Sequence, residues 1–305
     1  MKCPGFGRSP LRNSLHLHDK SGQKARFAKD VPMPTDSLPP PLPPTRIFDC
    51  GAARPVVALH CSLAHGGAWS GLASLMRRIT IYAPDQPEHG KGSLWDRSQP
   101  LHDQAVQESI AVAEYVGQGA AVDLFGHSFG ATLALRIALD RPDLVRSLTL
   151  MEPVLFAAAG AAMDPAYAPF RARHLDFAAL IAAGKPETAL RMFHGDWGTG
   201  DGLDDLPTRT RAYMQDRIGL IAAQNPTLLE DQAQLLRPGG LEAVQVPVLF
   251  VEGAQSPPIV AAVHAALIAR LPRSQRLVVP GAGHMVTITH AGAVAPTLQR
   301  HLDAA

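Results

Sequence analysis

"DLFGHSFGATLAL", residues 123–135, sets a serine between two glycines where one apolar run ends and another begins. The first run, "VDLFG" at 122–126, has the length and composition of a buried strand, and the second, over 129–140, those of a buried helix. A strand that passes straight into a helix through Gly126-His127-Ser128-Phe129-Gly130 is the G-x-S-x-G turn in the context that gives it chemical meaning. So sharp a turn strains the serine backbone and tolerates only small residues on either side. It also holds the hydroxyl above the sheet edge at a helix N-terminus, whose unpaired N–H groups favour negative charge. Ser128 is the candidate nucleophile.

Outward from this turn, short apolar runs alternate with longer amphipathic ones. The expected strands are "RIFDC" (46–50), "VVALH" (56–60), "TIYAP" (80–84), "VDLFG" (122–126), "SLTLM" (147–151), "PVLFVEG" (247–253) and "QRLVV" (275–279). Helical stretches at 101–117, 129–140, 259–270 and 290–303 fall between or after them. Buried runs alternating with helices predict an α/β fold, a mostly parallel sheet flanked by helices. One region breaks the rhythm. Residues 155–240 offer helical segments, the loop "HGDWGTGDG" and no strand candidate, as an inserted helical cap would, leaving 45–154 and 241–305 as the core.

Composition narrows the function classes. The 28 Lys and Arg against 27 Asp and Glu give a net charge of +1, without the basic excess that nucleic-acid binding needs. No apolar run is long enough to cross a bilayer, so a soluble protein is expected. Cys3, Cys50 and Cys61 are odd in number and lack zinc-ligand spacing, which implies a reducing, cytoplasmic setting. Cys61, after a strand, is either a reactive thiol or simply a small buried residue. Residues 1–44 are polar and basic, then proline-dominated, and are expected to be a disordered leader without a secretory signal. Neither metal nor redox cofactor is indicated: the histidines lack H-E-x-x-H spacing and no G-x-G-x-x-G opens a helix after the first strand. Oligomeric state is left open by the sequence.

A serine hydroxyl needs a base, expected C-terminal to it. "VVPGAGHMVTITH" supplies His284 in a glycine-bearing loop after the last strand, with His290 the weaker candidate. Together these motifs resemble the α/β-hydrolase family over residues 46–305. "VVALHCSLAHGGAW" is similar to the family's His-Gly oxyanion loop, "APDQPEHGKGS" to its D-x-P-G-H-G-x-S segment, and "PGAGH" to its histidine loop. Two departures stand out: Cys61 follows His60 where glycine is usual, and Glu88 takes the place of the glycine before His89.

The resemblance implies an acid after the seventh strand of that family, in a pattern like G-x-x-D. Here the stretch reads Gly253-Ala254-Gln255-Ser256, and serine carries no charge to stabilise an imidazolium. "LTLMEPVLF" places Glu152 at the end of the preceding strand, an arrangement similar to that of certain haloalkane dehalogenases. Glu152 is the candidate acid, with Glu252 the rival and Asp201, Asp204 and Asp205 more distant. The resemblance also implies an oxyanion hole from the backbone N–H of Phe129 and of Ser62, with Leu63 the fallback. His60, Phe156, Phe193, Trp197 and Tyr213 are the candidate substrate-lining residues, although core packing is the default for aromatics. The expected function is cofactor-independent hydrolysis of a small or medium ester, thioester or similar small-molecule acyl substrate. The alternatives are C–C bond hydrolysis of a diketone-like substrate, or a ligand-binding receptor on a hydrolase scaffold.

Overall fold

A computed structural model describes residues 42–305. Seven strands form one sheet: β1 (Thr45–Asp49), β2 (Pro55–Leu59), β3 (Thr80–Pro84), β4 (Val122–His127), β5 (Val145–Met151), β6 (Val248–Gly253) and β7 (Ser274–Val279). Their order is β1-β3-β2-β4-β5-β6-β7, with β1 antiparallel to β3 and every other pair parallel. Each expected strand is present within two residues at either end. The reason is burial. Central strands covered on both faces must be apolar at consecutive positions, which makes them legible as short continuous runs.

Successive side chains on a strand point to opposite faces, so each central strand feeds two cores. Val57, Leu59, Leu124, Leu148, Leu150, Val248 and Phe250 join one cluster, beneath the helices Leu101–Gly117, Phe129–Asp140 and Pro258–Ile268. Val56, Ala58, Phe125, Met151, Leu249 and Val251 join the other, against the helix Ala291–Asp303. The chain leaves β2 for β3 on one side, then returns to β4 on the other. That reversal opens a crevice beyond the C-terminal ends of β2 and β4, where parallel sheets bind ligands.

Among the described residues, the chain between β5 and β6 is helical and contains no strand. Its inner helices, Tyr167–Ala182 and Pro186–Trp197, contribute to a separate small core of Phe177, Ala189, Leu190, Leu203, Ile218 and Ile221, which Leu63 of the main fold also enters. Its two ends behave differently from expectation. Phe156–Ala159 at the start, and Leu228, Leu229 and Leu235 near the finish, pack into the first sheet-facing cluster, so the 155–240 bounds enclose core residues. The expected leader needs the same correction at its edge. Leu42 packs on the first cluster and Asp85 N donates to Pro44 O at 2.9 Å, so residues 42–44 belong to the fold. The rest of the leader lies outside the described residues.

Candidate active site

The turn after β4 carries the strain that its sequence implied. Ser128 has φ 56° and ψ −117°, a region that a side-chain-bearing residue occupies only when its surroundings force it there. The flanking glycines are what allow it. A Cβ on Gly126 would lie 2.4 Å from Gly130 O, and one on Gly130 would lie 2.1 Å from Leu59 O. The second contact presses the start of the Phe129–Asp140 helix against the end of β2. Ser128, 7% exposed, anchors its own N–H on Met151 O at 2.9 Å.

Three side chains from three separate strand ends meet here. Ser128 Oγ donates to His284 Nε2 at 2.9 Å, and His284 Nδ1 donates to Glu152 Oε2 at 2.9 Å. An ionised carboxylate only accepts, so the proton sits on Nδ1 and Nε2 is left free to accept from the serine. Glu152 is fully buried with φ 54°, a left-handed turn that swings its side chain back across the strand ends. Its other oxygen, Oε1, accepts from Gly253 N at 2.6 Å and from Ser256 Oγ at 2.8 Å. The serine standing where the family pattern has aspartate thus points its hydroxyl at the glutamate.

Burial dominates the electrostatics. Desolvation pushes Glu152 up to about 7, against the Gly253 N–H and Ser256 O–H that favour its charged form. Desolvation likewise pushes His284 down to about 3, so the resting imidazole is neutral with the Nε2 lone pair facing the serine. His127, between the elbow glycine and the serine, was not singled out by sequence. Its Nε2–H donates to His284 O at 2.9 Å while Thr287 Oγ1 donates to its Nδ1 at 3.3 Å, which clamps the histidine loop to the elbow. Burial holds His127 down at about 4, in the neutral form that this double role requires.

The rival acids are elsewhere. Glu252 Oε2 lies 2.6 Å from Arg276 Nη2 and 3.0 Å from His264 Nδ1. Asp204 pairs with Arg191 and Arg211, Asp201 accepts from Thr199 Oγ1, and both are exposed, as is Asp205. His290 is bonded to its neighbour Thr289.

Two expected lining residues have other work. His60 is buried, with Nδ1 donating to Cys61 O at 2.8 Å and Nε2 accepting from Gln86 N at 3.0 Å. Both ring nitrogens are spent on the backbone, which fixes the shape of the loop. Tyr213 ties the helical insertion down: its hydroxyl donates to Ala64 O at 3.0 Å and accepts from Gly90 N at 2.8 Å. The remaining three pack on one another as part of the sheet-facing core. Phe193 lies 6.5 Å from Trp197, Phe156 lies 5.9 Å from Trp197, and Trp197 stands edge-on to His284 with ring centroids 4.6 Å apart. A cavity of about 600 Å³ adjoins His284, with His194, Thr199, Gln255 and Met285 also in its wall.

The loop after β2 turns at Leu63, φ 60°. Neither Phe129 N nor Ser62 N has a protein acceptor among the described residues. Ser62 Oγ donates to Gln224 Oε1 at 2.9 Å. The two departures from the family pattern are accommodated. Glu88 takes φ 64°, the conformation that explains why glycine is usual there, and Cys61 is buried with its thiol pushed up to about 12 by desolvation, an inert side chain. No group of three or more metal-ligating side chains occurs among the described residues, nor any helix long and apolar enough to cross a membrane.

Sheet order, elbow and crevice together define an α/β-hydrolase fold. The chain belongs to the alpha/beta hydrolase family, whose sequence profile matches residues 56–297. It is 22% identical over 260 residues to the (E)-2-((N-methylformamido)methylene)succinate hydrolase of Acinetobacter baylyi, covering 84% of this chain and 93% of that enzyme. It is 37% identical over 105 residues to Lipase LipV of Mycobacterium tuberculosis, a match spanning 34% of this chain and 39% of LipV. MenH from S. aureus shares the fold at a TM-score of 0.65 and 15% identity, over 85% of this chain and 98% of MenH.

Proposed function

We propose that the protein is a cofactor-independent serine hydrolase acting on a small or medium ester, thioester or related acyl compound. The observation that carries the reading is the unbroken hydrogen-bonded chain from Ser128 Oγ through both nitrogens of His284 to Glu152. Ser128 Oγ attacks the acyl carbon as its proton passes to His284 Nε2. The resulting imidazolium is stabilised by the Glu152 carboxylate, and the oxyanion by the N–H groups of Phe129 and Ser62. His284 then protonates the leaving group, and water repeats the sequence to release the acid.

The inner part of the 155–240 insertion acts as a cap. Trp197 stands edge-on to His284 and excludes water from one side of it. The relatives support hydrolysis as the reaction class, and a cavity of about 600 Å³ beside His284 suits a small or medium substrate.

An alkyl fluorophosphonate, followed by peptide mass mapping, tests this directly. Ser128 should carry the label and p-nitrophenyl esters of two to eight carbons should turn over, with a diketone substrate run alongside. No label at Ser128 points to a binding protein on this scaffold. Turnover confined to the diketone points to C–C bond hydrolysis.

A further inference from the structure

The segment "HGDWGTGDG", residues 194–202, brings Trp197 to His284 and also walls the cavity beside it. His194, at the head of the segment, is 8% exposed and lines that cavity, yet neither ring nitrogen makes a hydrogen bond among the described residues. Neither nitrogen is closed off by protein. A Cβ on Gly198 would lie 2.9 Å from His194 Cε1 and Nε2, so any larger residue there would cover the ring edge that the glycine leaves clear. Burial holds the imidazole below its usual value, which makes it a neutral ring with one donor and one acceptor. Such a ring costs the fold free energy unless something in the cavity bonds to it.

The rest of the wall says what that partner carries. Asp201 also lines the cavity, and its carboxylate accepts from Thr199 Oγ1 at 3.0 Å and meets no cation among the described residues. The other charges are spent, Asp204 on Arg191 and Arg211, and Asp196 on Arg173. An imidazole and a free carboxylate are therefore on offer, without a free guanidinium. Position selects the end of the substrate that they meet. His284 and Met285 stand in the wall, whereas Ser62, Leu63 and Phe129, on the oxyanion side, lie outside it. In the hydrolase reading, on which this inference rests, the acyl C–O bond breaks and the leaving oxygen takes the proton that His284 Nε2 received from Ser128. The group that departs on the His284 side is the one this cavity receives.

We propose that His194 and Asp201 are specificity-determining residues for the leaving group: hydroxyls on an uncharged alcohol accept from the His194 N–H and donate to the Asp201 carboxylate. The preferred substrates are esters of polyols rather than of plain alkanols. An anionic leaving group would meet Asp201 with no counter-charge to hold it. A cationic one would satisfy Asp201 and leave the imidazole bare.

The test compares butanoate esters on the parent chain, His194→Phe and Asp201→Ala: the 2,3-dihydroxypropyl ester, its apolar isostere the 2-methylbutyl ester, and the choline ester. Each kcat/KM is divided by that ester's rate with hydroxide, which removes differences in leaving-group reactivity. The parent should prefer the dihydroxypropyl ester to both others by at least about tenfold, since a site built to bond a hydroxyl rejects the analogue that lacks it. His194→Phe keeps a ring and removes both nitrogens, and should bring the dihydroxypropyl to methylbutyl ratio within about twofold of unity. Asp201→Ala should lower the same ratio at least about threefold, and, being on an exposed loop, it carries the test should His194→Phe fail to fold. Structural damage lowers all rates together and leaves the ratio standing, so a ratio that survives in a folded variant overturns the proposal, as does a parent that favours the isostere, the choline ester or none. Fluorophosphonate labelling of Ser128 on the parent reports the hydrolase reading separately. Labelling without a hydroxyl preference sinks the leaving-group assignment alone, whereas an unlabelled parent that hydrolyses none of the esters removes both.

Discussion

Replacing Glu152 by glutamine keeps its shape and removes its charge, and the loss in rate can be worked from the contacts of the site. The carboxylate Oε2 lies 2.9 Å from His284 Nδ1, so the charge centres of carboxylate and imidazolium are about 4 Å apart. At an effective dielectric of about 20 that attraction is worth about 4 kcal/mol to a state in which His284 is protonated. Each ~1.4 kcal/mol is a factor of ten, so Glu152→Gln should lower kcat by about a thousandfold. Geometry adds a second loss. Gly253 N–H and Ser256 O–H both donate to Oε1, so the amide carbonyl occupies that place and its NH2 faces Nδ1. An imidazole that accepts at Nδ1 carries its proton on Nε2 and has no lone pair for the serine.

The assay is steady-state hydrolysis of a p-nitrophenyl ester together with the rate of fluorophosphonate labelling at Ser128. Both should fall with no loss of melting temperature. Glu252→Gln should spare both rates, because Glu252 answers to Arg276 and His264. A folded Glu152→Gln protein within tenfold of the parent, or a folded Glu252→Gln protein that is dead, would refute the assignment of the acid.

Other outcomes rest on the same contacts. Ser128→Ala should cut turnover at least about a thousandfold, checked by ester hydrolysis after removal of any co-purifying esterase. Aspartate at Ser256 in the Glu152→Gln background should restore part of the rate, since the Ser256 Oγ already sits 2.8 Å from the position of Glu152 Oε1. Burial raises Glu152 above its unfolded value of 4.5 to about 7, so its protonated form stabilises the fold below pH 4.5 and that contribution is lost as pH rises through about 7. Melting curves should therefore show Glu152→Gln matching the parent near pH 4.5 and exceeding it above pH 7, and the parent's kcat/KM should rise with pH through the same window. A chain beginning at Thr45 should melt about 5 °C below one beginning at Leu42, because it loses the Leu42 packing and the Pro44 acceptor, together about 2 kcal/mol.

Much of this molecule is legible in its sequence because the relevant physics is local. A strand buried on both faces has to be apolar throughout, so "VDLFG" and "PVLFVEG" announce themselves. The elbow is legible for a similar reason, since contacts of 2.1–2.4 Å at Gly126 and Gly130 leave no choice of residue. The carboxylate that meets His284 was half legible. Ser256 shows that no carboxylate follows β6, and Glu152 is the one beyond the neighbouring strand end, but its φ of 54° and its aim at His284 are tertiary facts.

Where sequence reasoning missed, the partners are far apart along the chain. His127 grips the carbonyl of His284 across 157 residues, Ser256 reaches Glu152 across 104 and Ser62 reaches Gln224 across 162, and no periodicity records such pairings. His60 and Tyr213 depend on the same kind of distant pairing. Each has the residue type of a site group, yet each spends its polar atoms on backbone that only the fold brings near. By itself, then, the sequence determined the seven strands, the strained serine and the missing aspartate, because backbone sterics and two-sided burial act between near neighbours. Which carboxylate meets the histidine was decided only when the sheet order set the ends of β2, β4, β5 and β6 side by side.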